Sequence, residues 1–120
     1  IKNLAKTAYI VVKDTVNQQN ITIPENEIIY AQADNIYAEV VTAQGIFLYS
    51  NKISLLVKKL NEEYFYRSNR SYIVNFNYII GYSKKEIEFS NGQKALISSS
   101  KFKDFKSKYL NYLKRKSIGE

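Results

Sequence analysis

No cysteine and no histidine occurs in the 120 residues. Without cysteine there are no disulfides, thiolate zinc sites or cysteine nucleophiles. Without histidine, nearly every common hydrolytic triad, the imidazole general base and the usual transition-metal ligand are excluded. An enzyme is not expected, and neither is a cofactor or a bound metal. Methionine is absent as well, even at position 1, so the chain opens on Ile1 and reads as a fragment of something longer. No apolar run approaches the roughly 20 residues that a membrane span requires, and there is no signal-peptide pattern. The four glycines, Gly45, Gly81, Gly92 and Gly119, form no phosphate-cradling loop.

What is present is ordinary globular material, 45% hydrophobic and 24% charged, in a length that suits one domain. Its net charge is +7. Residues 101–116 hold seven of the eighteen bases and a single acid, Asp104, so the surplus is packed into one end. Such a concentration fits a polyanion partner, and it equally fits a solubilising helix, because net charge speaks to attraction and not to recognition.

Most of the chain has strand periodicity. Residues 9–12, 21–23, 27–33, 36–42 and 46–49 are rich in Ile, Val and Tyr and form a β-meander, with Pro24 closing the second strand. The period then changes. Ile53, Leu56, Val57 and Leu60 fall on one helical face, with Ser50 or Asn51 available as a cap. Strands return at 78–82, 86–89 and 94–97, and Asn91-Gly92 predicts a type I′ hairpin turn. A last helix carries the stripe Phe102, Phe105, Tyr109, Tyr112 and Leu113.

Two segments carry chemistry. In Ser98-Ser99-Ser100-Lys101 a serine can cap the helix that follows. Yet Lys101 and Lys103 stand at the positive end of the helix dipole, where bases are unfavourable. Serine hydroxyls, free backbone N–H groups and two ammonium groups together suit a phosphate. In Arg67-Ser68-Asn69-Arg70-Ser71 lie two of the three arginines. Arg and Asn are the side chains shaped for bidentate contacts with guanine and adenine. The structural alternative there is a turn with Arg67 paired to Glu62 or Glu63. The carboxylate pair Glu86 and Glu88 shares one strand face beside Lys84 and Lys85, which suits a solvated surface better than a hydrolytic dyad. The eleven tyrosines could stack on single-stranded nucleic acid, but most have apolar strand neighbours and suit a core.

The segment Phe65-Tyr66-Arg67-Ser68-Asn69-Arg70-Ser71-Tyr72-Ile73-Val74-Asn75 resembles the signature of the LytTR family of bacterial DNA-binding domains, in which phenylalanine and arginine lead into His-Arg-Ser-Tyr-Ile-Val-Asn. The likeness extends through residues 28–37, 55–60 and 91–98, and covers about residues 8–113 of a single domain over 1–120. It implies a mainly β fold of elongated, antiparallel strands in three small sheets, with one short helix after the first meander and one C-terminal helix. It also implies the effector domain of a cytoplasmic response regulator in a two-component system, joined to an N-terminal receiver or other signalling domain. Its partner would be double-stranded DNA, read at direct-repeat promoter sites through loops. The implied DNA-contacting positions are Asn35, Tyr37, Asn69, Arg70, Ser98, Ser100 and Lys101. Two positions depart from the pattern. Asn69 replaces the frequent histidine, and Ser99 and Ser100 stand where an arginine often follows Val-Ser. Both keep hydrogen-bonding character and leave the target sequence open. The competing reading is a related module that mediates protein interaction or dimerisation and has lost specific DNA reading. With no long apolar heptad seam, the domain alone is expected to be a monomer, paired if at all on DNA.

Overall fold

The structure is a computed structural model and describes residues 8–118; the start at Ile1 lies outside the described residues. β1 (Tyr9–Asp14) and β2 (Gln19–Pro24) form a first hairpin. A 3-10 turn over Glu25–Glu27 leads into the meander β3 (Ile28–Asp34), β4 (Tyr37–Thr42) and β5 (Gly45–Tyr49). Helix α1 (Ile53–Lys59) follows, then the hairpin β6 (Phe65–Asn69) and β7 (Tyr72–Asn75). Strands β8 (Ile79–Tyr82), β9 (Glu86–Phe89) and β10 (Lys94–Leu96) precede a 3-10 turn over Ser99–Lys101 and the final helix α2 (Phe102–Ile118). The fold is mainly β with wholly antiparallel pairing and two helices.

Among the described residues the expected three small sheets are two. A seven-stranded sheet runs β2-β1-β5-β4-β3-β7-β6 and a three-stranded sheet runs β10-β9-β8. The first hairpin joins the central strands through the pair Lys13 and Leu48, because β5 returns beside β1 and the exposed polar edge of each finds a partner in the other. The principal extents are 41 × 40 × 24 Å. No helix of the described residues is long and apolar enough to cross a membrane.

Alternation along the strands gives the large sheet two apolar faces, each with its own cover. One face presents Val12, Val40 and Ile73 to Ile53, Leu56 and Leu60 of the α1 segment. The other presents Tyr30, Val41 and Val74 to Ile87 and Phe89 of the small sheet and to Phe105 and Tyr112 of α2. The second core is aromatic. Phe76 lies 6.2 Å from Phe105 and 5.5 Å from Tyr112, and Tyr30 stacks on Phe89 at 5.0 Å. Tilted and offset rings at such separations add to their area burial.

Three local expectations are corrected. Neither Ser50 nor Asn51 caps α1. The cap position falls one residue later, on Lys52, with no side-chain capping bond, and Asn51 Oδ1 accepts from the Lys52 N–H. Leu113 is exposed, because one residue past the buried Tyr112 turns about 100° away from the core. The Asn91-Gly92 turn is not type I′, since Gly92 alone has positive φ, 87°. Gly92 N–H donates to the Phe89 carbonyl and Phe89 N–H to the Gln93 carbonyl, the pattern of a three-residue loop with a bulged glycine. Asn91 Oδ1 accepts from Gln93 N–H and fixes that form locally.

Asn75, the last residue of β7, is fully buried and ties the start of β3 to the 3-10 turn Phe76–Tyr78 that follows. Its Nδ2 donates to the Ile28 carbonyl (2.8 Å), and its Oδ1 accepts from Asn77 N–H (2.9 Å). Asn75→Ala strands a buried carbonyl, so we expect a loss of about 2–4 kcal/mol. Urea unfolding with an unchanged slope checks this, and a loss below about 1 kcal/mol would show that water replaces the amide.

Candidate nucleic-acid interface

The β6–β7 turn is built around two local contacts. Asn69 Oδ1 accepts from Ser71 N–H at 2.9 Å, an Asx turn, and Arg67 Nη2 donates to the Arg70 carbonyl at 2.6 Å. The Arg70 side chain is left exposed. Arg67 thus makes no ion pair with Glu62 or Glu63, the alternative its sequence position allowed. The turn is close enough that its guanidinium reaches the local carbonyl instead. Its Nε is buried with no partner among the described residues.

The β3–β4 tip lies beside this turn. Gln32 pairs with Tyr72, and Ala33 N–H donates to the Ser71 carbonyl at 2.8 Å. Two residues, Asn35 and Ile36, bridge the paired Asp34 and Tyr37. Asn35 takes positive φ, 57°, which asparagine tolerates better than branched residues. Asn35, Ile36 and Tyr37 are all exposed.

The third segment reaches the same place from a distant part of the chain. Ser98 N–H donates to the Ser68 carbonyl (2.8 Å), the buried Ser68 hydroxyl donates to the Leu96 carbonyl (2.8 Å), and Asn69 Nδ2 donates to Ser98 Oγ (3.3 Å). Asn69 and Ser98 are therefore in direct contact, and Arg70 stands one residue away. Asn35 and Tyr37 are neighbours through the sheet ladder, but among the described residues no side-chain hydrogen bond ties them to the other two segments. Ser98 begins the helical turn without a side-chain capping bond. Its hydroxyl is occupied by Asn69, so the capping alternative does not hold for it. Ser99 and Ser100 are exposed.

Lys101 sits against β6. Its ammonium lies 5.9 Å from the Tyr66 ring centroid, and that of Lys108 lies 5.7 Å from it. The Tyr66 hydroxyl donates to Asp104 Oδ2 at 2.8 Å. Burial and then this bond push the Tyr66 phenol well above its ordinary range. The same bond, with Lys108 and Lys101 nearby, holds the Asp104 carboxyl below the usual carboxylate range. Only two ion pairs occur among the described residues, Lys94 with Glu86 and Lys108 with Asp104, so most of the basic surplus is unneutralised. The first of these pairs lies at the surface, both side chains being solvent-accessible, in keeping with a solvated face for Glu86. The tyrosines are mostly committed to packing, and among the described residues only Tyr9, Tyr37 and Tyr82 are exposed.

Sequence reasoning did not find the parts played by Ser68, Tyr66 and Asp104. No local signal marks them, since each partner lies 28 or more residues away.

The sequence model of the LytTr DNA-binding domain matches residues 18–110. Among solved structures, the LytTr DNA-binding domain of a Bacillus cereus protein described as a methyl-accepting/DNA response regulator superposes with a TM-score of 0.73. It is 21% identical, and the alignment covers 88% of this chain and 98% of that one. No curated protein matches the chain.

The two bonds of the Asn69 amide lead to a test. Asn69→Ala removes both, and we expect a loss of about 1–2 kcal/mol in chemical denaturation. Asn69→Asp keeps an acceptor for Ser71 N–H and should lose less. Equal stability of all three proteins would show that the amide holds nothing.

Proposed function

The chain belongs to the LytTr DNA-binding domain family, and from that premise we propose that it binds double-stranded DNA as part of a bacterial transcription regulator and recognises sequence through its loops. The observation that carries this reading is the meeting of three separate segments at one end of the large sheet. The 35–37 tip, the Arg70 turn and the 98–101 segment adjoin there, with Arg70 and Ser100 exposed. Arg70 is assigned to a base edge, because a guanidinium presents paired donors to guanine O6 and N7. Lys101 and Ser100 are assigned to phosphate, with Asn35 and Tyr37 touching the backbone or groove from the neighbouring tip. Asn69 and Ser98, whose polar groups hold each other, support the contact surface as much as they extend it. Direct-repeat sites, a separate signalling domain and a cytoplasmic setting belong to the same proposal.

The roles given to Arg70 and Lys101 separate in measurement. Arg70→Ala should weaken target DNA by about 1–3 kcal/mol relative to random duplex. Equal weakening on both would move Arg70 to phosphate, and no DNA binding by the intact domain would favour a protein-interaction module. Lys101→Ala should weaken binding to every sequence and reduce the log–log salt slope by about one. Its melting temperature should barely move, because relief at the helix dipole offsets the lost contact with the Tyr66 ring, each about 1 kcal/mol or less. A clear fall in melting temperature with an unchanged salt slope would make Lys101 structural.

A further inference from the structure

A cleft of about 830 Å³ opens between α1, β6 and α2. Its lining is mixed: the buried Leu60, Phe65 and Phe76 supply apolar surface, and four bases from three elements, Lys58, Arg67, Lys108 and Arg115, line it. Glu62 and Glu63 also line the cleft, but no base comes within 4.0 Å of either carboxylate among the described residues. Arg115 Nη2 donates instead to the backbone carbonyl of Glu63 at 3.1 Å, and Lys108 alone of the four meets a carboxylate. A cleft of this size that sets apolar surface beside convergent charges can take a small molecule. Three of these cations have no carboxylate partner among the described residues, and beside apolar surface they favour an anion carried on an apolar body.

Arg67 gives the cleft a route to the DNA-facing end. The same guanidinium lines the cleft, holds the Arg70 carbonyl at 2.6 Å, and carries the buried Nε without a partner. A ligand anion that draws on this guanidinium changes its hold on the turn that presents Arg70. We propose that the cleft is a binding site for a small organic anion, a carboxylate or phosphate on an apolar body, and that its occupancy is transmitted through Arg67 to the Arg70 turn. The regulatory half rests on the DNA-binding reading above. A ligand that binds more tightly when Arg67 releases the Arg70 carbonyl shifts the turn, and DNA and ligand then alter each other's affinity reciprocally.

The test uses 1-naphthoate as the probe, with 1-naphthylmethanol as its neutral counterpart, at constant ionic strength on the 120-residue chain. Amide NMR should show saturable shifts in residues 57–67 and 108–115, with the acid binding about tenfold more tightly than the alcohol. Arg115→Gln should weaken the acid by about tenfold and leave the alcohol unchanged. Equal binding of acid and alcohol, shifts elsewhere, or an Arg115→Gln variant that binds the acid as the parent does would each overturn the site. Transmission is read first without DNA, as acid-dependent shifts at residues 70 and 71. Silence there overturns the coupling even if the cleft fills. In DNA titrations, saturating acid should change the affinity at least about threefold in the parent and not in Arg115→Gln. If the domain binds no DNA, the function proposed above fails while the shifts at 70 and 71 still decide the coupling.

Discussion

The hydrogen bonds between residues 68–69 and 96–98 are the constraint on which the arrangement of this molecule depends. β6 is the outer strand of the seven-stranded sheet, and an edge strand carries polar backbone groups that need partners. The Ser68 carbonyl is satisfied by Ser98 N–H, and the buried Ser68 hydroxyl returns a bond to the Leu96 carbonyl. These contacts bind the small sheet and the start of α2 to the large sheet. They fix where α2 begins, and so how Phe105 and Tyr112 enter the aromatic core beside Phe76. A hydroxyl at position 68 is small enough to be buried there and still bridge the two segments.

The same seam makes the end of the sheet proposed to face DNA a single body. Asn69 touches Ser71 with one end of its amide and Ser98 with the other, while Arg67 closes the turn from the opposite side. Flexible loops would lose conformational entropy on meeting a duplex, whereas segments already bonded to one another lose less. The charge pattern works the other way. Lys101 and Lys103 stand at the N-terminal end of α2, against the helix dipole, and most of the bases on α2 have no carboxylate partner. Stability alone does not ask for that arrangement, but attraction to a polyanion does.

The resemblance of the sequence to the LytTR signature and the local chemistry of residues 67–71 and 98–101 both lead to the proposal of the same surface for DNA. They differ in what they assign to Asn69. Read as an isolated side chain, it is a natural partner for adenine. In the folded chain both ends of its amide are engaged, and its clearest role is to place Arg70 and Ser98 relative to each other.

The sequence by itself marked the strands of the first meander, those at 78–82, 86–89 and 94–97, and both helices, because the periods of apolar residues are local and backbone geometry turns them directly into faces. It did not mark β6 and β7 as strands, since the polar run 67–71 interrupts the apolar pattern there. It also marked the two chemically unusual segments, since arginines in a turn and lysines at a helix start are visible without neighbours. Where local signals competed, it was less complete. Asn91-Gly92 marked the place of a hairpin but not its turn type, which the Asn91 side chain decides through Gln93. Only the tertiary structure decided that Lys13 meets Leu48 and merges two sheets into one. It alone brought Asn69 to Ser98 across 29 residues of sequence and gave Arg67 to the Arg70 carbonyl instead of a glutamate. Those outcomes depend on strand register and on which edge groups are left unpaired, and such quantities exist only once the strands have been assembled.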